Sequence, residues 1–198
     1  MRKETASGKH FETVLPAGYR EVYCIDAQKA KTGVIMNVVA AGVIALILLV
    51  SVCIIRPEGF FDNYSLLRNW ALVVALVAYI VLHEVTHGVA YKCLTGRKLT
   101  FGLTLTVAYC GVPDVYVYRR AALISLLAPF VLFFPVFLLP ALLLRDAWDQ
   151  IYAAALFALH VGGCVGDLYG AFLYCFRFRD PSTLMQDTGP KQTFYQKG

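Results

Sequence analysis

The chain has 198 residues, of which 59% are hydrophobic and only 16% charged, with a formal net charge of +5 and a mean hydropathy of +0.62. A soluble domain carries about a quarter charged residues, so this composition excludes an ordinary soluble protein. The positive balance calls for no nucleic-acid partner, since basic residues beside anionic lipid account for it. Six cysteines without a CxxC pair argue against a zinc ribbon or a disulfide framework.

Residues 1–32 are mixed polar and aromatic, with a turn signal at Pro16–Gly18, and are expected to form a short cytoplasmic segment. Apolar runs follow at 33–55, 70–94, 121–144 and 147–176. Each is long enough to cross a bilayer, for which about 20 residues suffice. The expected fold is all-α: a polytopic membrane domain over 33–176 with about four transmembrane helices and one short β-hairpin, then a cytoplasmic tail over 177–198. No cleavable leader is expected, because the first apolar run lacks a short core ending in a small-residue cleavage site. Lys and Arg set the orientation. Fourteen lie in 1–32, 97–120 and 177–198, against three in the other two connections. Both termini and the middle loop are therefore expected on the cytoplasmic side of a cell membrane.

The second apolar run contains "YIVLHEVTHGVAY" (79–91). A charged side chain at the centre of a span costs roughly 2.5–3.5 kcal/mol, so such residues mark functional sites by default. His83 and His87 are four apart and share one helix face. That spacing suits two imidazoles on one Zn²⁺, with Glu84 placed to take a proton from a zinc-activated water and return it to the leaving nitrogen. An exposed helix face with satisfied polar groups is the bland alternative, and it fits poorly inside an apolar run.

The loop after this span reads as β structure. "KLTFGLTLTVAY" (98–109) alternates in polarity, "CGVPD" (110–114) supplies turn chemistry, and "VYVYRR" (115–120) is rich in β-formers. One hairpin over about 98–118 is expected. The third run carries Pro129, Pro135 and Pro140, which predict a kinked or locally unwound helix.

A catalytic zinc needs a third protein ligand and one open position. The fourth run offers His160 and Asp167 in "LHVGGCVGDLYGAF" (159–172). At 1.5 Å per residue, His87 lies about 11 Å and His83 about 17 Å from the inner end of their span; Asp167 lies about 13 Å and His160 about 24 Å from theirs. Asp167 is thus level with the pair and is the expected third ligand. His160 is expected to support a metal ligand through a hydrogen bond or to substitute for one, or simply to make a satisfied interhelical hydrogen bond. Nearby glycines allow close backbone approach or local opening of the helix.

These motifs together resemble the DUF3267 family of zincin-type peptidases, similar in plan to the site-2 protease class of intramembrane metalloproteases. The resemblance runs through "LPAGYREVYCID" (15–26), "HEVTHG" (83–88), the hairpin, "ALISLLAPF" (122–130) and "GDLYG" (166–170). It implies His83, His87 and Asp167 as metal ligands, Glu84 as catalytic acid/base, one Zn²⁺ per chain and a bacterial cell membrane as the setting. The chain departs from the better-known proteases at Asp167, which lacks their Asn-Pro…Asp-Gly context.

The function expected is a zinc-dependent intramembrane endopeptidase acting on a membrane protein or peptide. Because a helical substrate hides its peptide bonds, the hairpin is expected to pair with it as an added strand, through Thr104, Leu105 and Thr106. Two alternatives belong to other classes. A metal-stapled, non-catalytic binding protein would have no use for Glu84, and a metal transporter would need polar groups along a path rather than in one cluster. Oligomeric state is left open.

Overall fold

A computed structural model describes residues 10–59, 65–104 and 107–198. Helices follow the apolar runs: α1 (Ala30–Ile55), α2 (Leu66–Thr95) and α3 (Arg119–Leu143) are each long and apolar enough to cross a membrane. Helices α4 (Ala147–Gly163) and α5 (Val165–Phe176) meet at a 48° bend and pass the same test only as a broken pair. Among the described residues, three or four helices are therefore candidate spans. Helix α3 continues through Pro129, Pro135 and Pro140 without interruption, in place of the local unwinding those residues predict.

The all-α expectation is overturned. Among the described residues, seven strands accompany the helices: β1 (Phe11–Glu12), β2 (Tyr19–Asp26), β3 (Thr100–Leu103), β4 (Ala108–Gly111), β5 (Tyr116–Tyr118), β6 (Leu184–Asp187) and β7 (Lys191–Lys197). Five form an antiparallel sheet in the order β1-β5-β6-β7-β2, and β3 and β4 form a two-stranded one. The fold is mixed α/β. Its sheet draws on both the segment read as a preamble and the segment read as a tail.

By internal contacts the chain forms two compact units. The sheet-bearing unit comprises Met1–Gly33, Glu84–Ala128 and Asp167–Gly198. Its core is Val117, Leu184, Met185 and Phe194, all fully buried, with the rings of Tyr174 and Phe178 each 5.1 Å from that of Phe194. Two turns shape the sheet. Gly18 takes φ +83 just after Pro16, whose carbonyl accepts from Tyr19 N–H. Gly189 takes φ +99 between β6 and β7, a conformation that favours glycine.

The helical unit comprises Val34–His83 and Pro129–Gly166. Asp146 caps α4 by accepting from Asp149 N–H, and Arg68 of α2 reaches Asp149 at 3.1 Å. Gly162 sits so near α1 that a Cβ there would lie 2.5 Å from Ile44 Cγ1 and 3.1 Å from the Ala40 carbonyl. A glycine at this point lets α1 and α4 approach closely.

The expected single hairpin over 98–118 divides in two. The chain reverses after Leu103, not at 110–114: Thr104 N–H donates to the Val107 carbonyl at 2.8 Å, and Val107 N–H donates to Thr104 Oγ1 at 3.0 Å. Here the threonine side chain adds to the turn's backbone bond, a local competition that alternation of polarity does not register. Strand β5 then joins the five-stranded sheet instead of pairing back on β3.

Burial of the C-terminal strand makes a direct prediction. Phe194→Ala empties the centre of the sheet-bearing unit and should cost about 3–5 kcal/mol. Thermal unfolding in detergent reads the loss, whereas an unstructured tail would show none.

Candidate metal centre

Helix α2 segregates its faces at a spacing of four. Tyr79, His83, His87, Tyr91 and Thr95 are all buried, whereas Ile80, Val81, Leu82, Val85 and Val89 are exposed. Residues four apart stack along one side of a helix, so a polar ridge runs down the buried side of a helix that elsewhere presents hydrocarbon.

His87 is held from two directions within the sheet-bearing unit. Its Nδ1 lies 2.8 Å from the Ser125 carbonyl of α3 and its Nε2 lies 3.2 Å from Asp167 Oδ2. A carbonyl only accepts, so Nδ1 carries a proton, and in the neutral ring Nε2 is then a bare lone pair. That lone pair faces a carboxylate oxygen, and two acceptors attract only across a cation or a proton. Asp167 reaches this position because the chain breaks at Cys164 and restarts as α5, placing Asp167 in that helix's first turn.

His83 lies one turn before His87 on the same unbroken helix, and its Nδ1 is 2.9 Å from the hydroxyl of Tyr79. Each of His83, His87 and Asp167 offers a ligand atom, and these atoms lie within 4.8 Å of one another. Two imidazoles whose second nitrogens are already engaged, plus one carboxylate, are donor types that zinc takes, and outer hydrogen bonds of this kind orient ligating rings. The residues present fit a divalent metal.

Glu84 follows His83 and is half-buried. Its charge is felt on the neighbouring hairpin: burial pushes the Cys110 thiol of β4 up to about 12, and the carboxylates of Glu84 and Asp187 add to the rise. The hairpin approaches α2 at Gly88, where a Cβ would lie 2.8 Å from Phe101 Cζ and 3.1 Å from Leu99 Cδ1. A side chain at 88 would displace the side chains of Phe101 and Leu99, one residue beyond His87.

His160 stands outside the ligand group. It lies on α4, fully buried, with Nδ1 2.8 Å from the Tyr79 hydroxyl. Of the residues expected to pair with substrate, Thr104 closes the β3–β4 turn, while Leu105 and Thr106 fall outside the described residues. Reading motif by motif misses Tyr79, the Ser125 carbonyl, Tyr91 and Asp187. Spacing held a signal for two of them: 79, 83, 87 and 91 form one i, i+4 series, and all four side chains are polar.

The family model DUF3267, described as "Putative zincin peptidase", matches residues 76–180. This range holds more than half of the chain and every residue of the ligand group. No curated protein and no solved structure matches.

Asp187, the last residue of β6, is buried, and its Oδ2 accepts from the Tyr91 hydroxyl at 2.6 Å while its Oδ1 accepts from Gly189 N–H at 2.9 Å. Burial outweighs both bonds and pushes its carboxyl up to about 7. An unfolded Asp titrates near 3.9, so between about pH 4 and 7 the folded chain keeps a proton that the unfolded chain releases. Stability should fall as pH rises through that window, by roughly 4 kcal/mol at most, and level off above it. In Asp187→Asn this contribution is absent. Unfolding midpoints from pH 4 to 8 should therefore slope less in the variant; equal slopes would exclude Asp187 as the titrating group.

Proposed function

Because the chain belongs to the DUF3267 family of zincin peptidases, we propose that it is a zinc-dependent intramembrane endopeptidase. His83, His87 and Asp167 hold the metal in this reading, and Glu84 is the general base and acid. The observation that carries it is the 3.2 Å approach of His87 Nε2 to the Asp167 carboxylate, with a ligand atom of His83 in the same 4.8 Å group.

When bound, zinc supplies Lewis acidity that polarises the scissile carbonyl and brings the pKa of a water towards ~7. The chain's own residues do the rest. Tyr79 and the Ser125 carbonyl engage the Nδ1 atoms of His83 and His87, which leaves their Nε2 atoms for the metal. Glu84 accepts the proton of the attacking water and delivers it to the leaving amide nitrogen, so that the peptide bond breaks to a carboxylate and an amine. Closing the metal with four protein ligands would make it a staple; three ligands beside a carboxylate base favour hydrolysis.

The substrate in this reading is an extended segment of a membrane protein or peptide, added as a strand beside β3. That strand pairs with β4 on one edge, and Phe101 and Leu103 on it are exposed. Backbone bonds along such an edge would hold an unwound substrate helix open for hydrolysis. Thr100–Leu103 thus replaces Thr104–Thr106 as the favoured pairing segment. Helices α1, α2 and α3 and the α4–α5 pair cross a bacterial cell membrane, with both termini cytoplasmic as the distribution of Lys and Arg requires.

The test uses protein reconstituted with fluorescently labelled transmembrane peptides. Glu84→Gln should slow cleavage by about 10²–10⁴-fold while zinc content stays at the wild-type level. Unchanged cleavage would exclude Glu84 as the base, and a wild type without zinc would exclude the metal centre.

A further inference from the structure

We infer that Tyr109 is a positioning residue for the substrate. Its ring, wedged between Gly102 of β3 and Gly189 of the β6–β7 turn, seats the strand-pairing hairpin on the C-terminal one. This rests on the reading of β3 as the edge that receives substrate.

Gly102 and Tyr109 stand directly opposite each other in the β3–β4 ladder and so share a face. A Cβ at Gly102 would lie 2.8 Å from Tyr109 Cε1. One at Gly189 would lie 2.7 Å from Cε2 and 2.9 Å from Cγ of the same ring. The tip of the ring therefore covers one glycine and its base covers the other. Backbone closes up behind the ring. A Cβ at Gly111, the last residue of β4, would lie 2.6 Å from the Thr188 carbonyl carbon and 2.9 Å from Gly189 Cα. Just beyond, Val112 N–H donates to the Asp187 carbonyl at 2.8 Å, and Gln186 Nε2 donates to the Pro113 carbonyl at 2.9 Å.

The opposite face of the hairpin is occupied too. Phe101 and Cys110 oppose each other there, and Phe101 packs against Gly88 of α2. A two-stranded hairpin is marginally stable by itself, so β3 and β4 need such supports. Strand addition gains most from an edge that is already held in place, because less ordering is left for binding to supply. With α2 on one face and the β6–β7 turn on the other, β3 is fixed in position. It pairs with β4 along one edge, and among the described residues its second edge pairs with no strand.

The wedge is tested in the full-length protein in detergent by amide hydrogen exchange over residues 99–111. Tyr109→Ala should speed that exchange about tenfold, and Tyr109→Phe, which keeps the ring, should leave it as in wild type. Gly102→Ala crowds the ring tip and should also speed exchange, yet change little when added to Tyr109→Ala. If Tyr109→Ala does not fold, Gly102→Ala alone carries the exchange readout. With zinc bound and labelled transmembrane peptides as substrate, Tyr109→Ala should raise KM about tenfold with kcat nearly unchanged, and Tyr109→Phe should restore the wild-type KM.

Equal exchange in wild type and in the folded variants would overturn the wedge. So would a Gly102→Ala effect of the same size with and without the Tyr109 ring. Faster exchange with an unchanged KM would overturn the positioning role and leave the metallopeptidase reading standing. A zinc-loaded wild type that cleaves no peptide would overturn both together.

Discussion

The structure depends on the cost of keeping imidazoles in a helix whose remaining faces are hydrocarbon. Helix α2 meets that cost by collecting its polar side chains on one buried ridge and giving each a partner of defined hydrogen-bonding character. A carbonyl partner is the most restrictive, because it can only accept. The Ser125 carbonyl thereby removes one of the two neutral forms of His87 and turns Nε2 towards Asp167. The outcome is an imidazole nitrogen facing a carboxylate oxygen, an arrangement that a shared proton or a bound cation stabilises.

Two departures from regular helix structure bring this about. The break between α4 and α5 places Asp167 in a first helical turn instead of mid-span. Gly88, next to His87, leaves room for Phe101, so the β3–β4 hairpin lies against α2 beside Glu84. The C-terminal hairpin adds a third support: Asp187 accepts from Tyr91 one turn beyond His87, tying the sheet to the ridge. A strand of the sheet is thus bonded to the helix that carries His83 and His87.

Much of this was legible in the residues. Hydropathy alone marks the apolar helices, since about 20 such residues leave few options but a span. The interval between His83 and His87 reports a shared helix face, and counting 1.5 Å per residue brings Asp167 level with them. The five-stranded sheet was not legible. β2 and β7 pair across the length of the chain, β1 has two residues and β5 three, and such pairings rest on tertiary contact more than on local preference. The hairpin was half legible: alternation in "KLTFGLTLTVAY" signals strand, but a turn made by the Thr104 side chain leaves alternation unchanged. Nor can a sequence display a backbone acceptor such as the Ser125 carbonyl, since every residue has one.

Zinc-edge X-ray absorption on the purified wild-type protein tests the central claim most directly. The account predicts one zinc per chain with nitrogen donors at about 2.0–2.1 Å, oxygen donors at about 2.0–2.2 Å and no sulfur shell. A zinc–sulfur distance near 2.3 Å, or no zinc retained from zinc-supplemented medium, would contradict it.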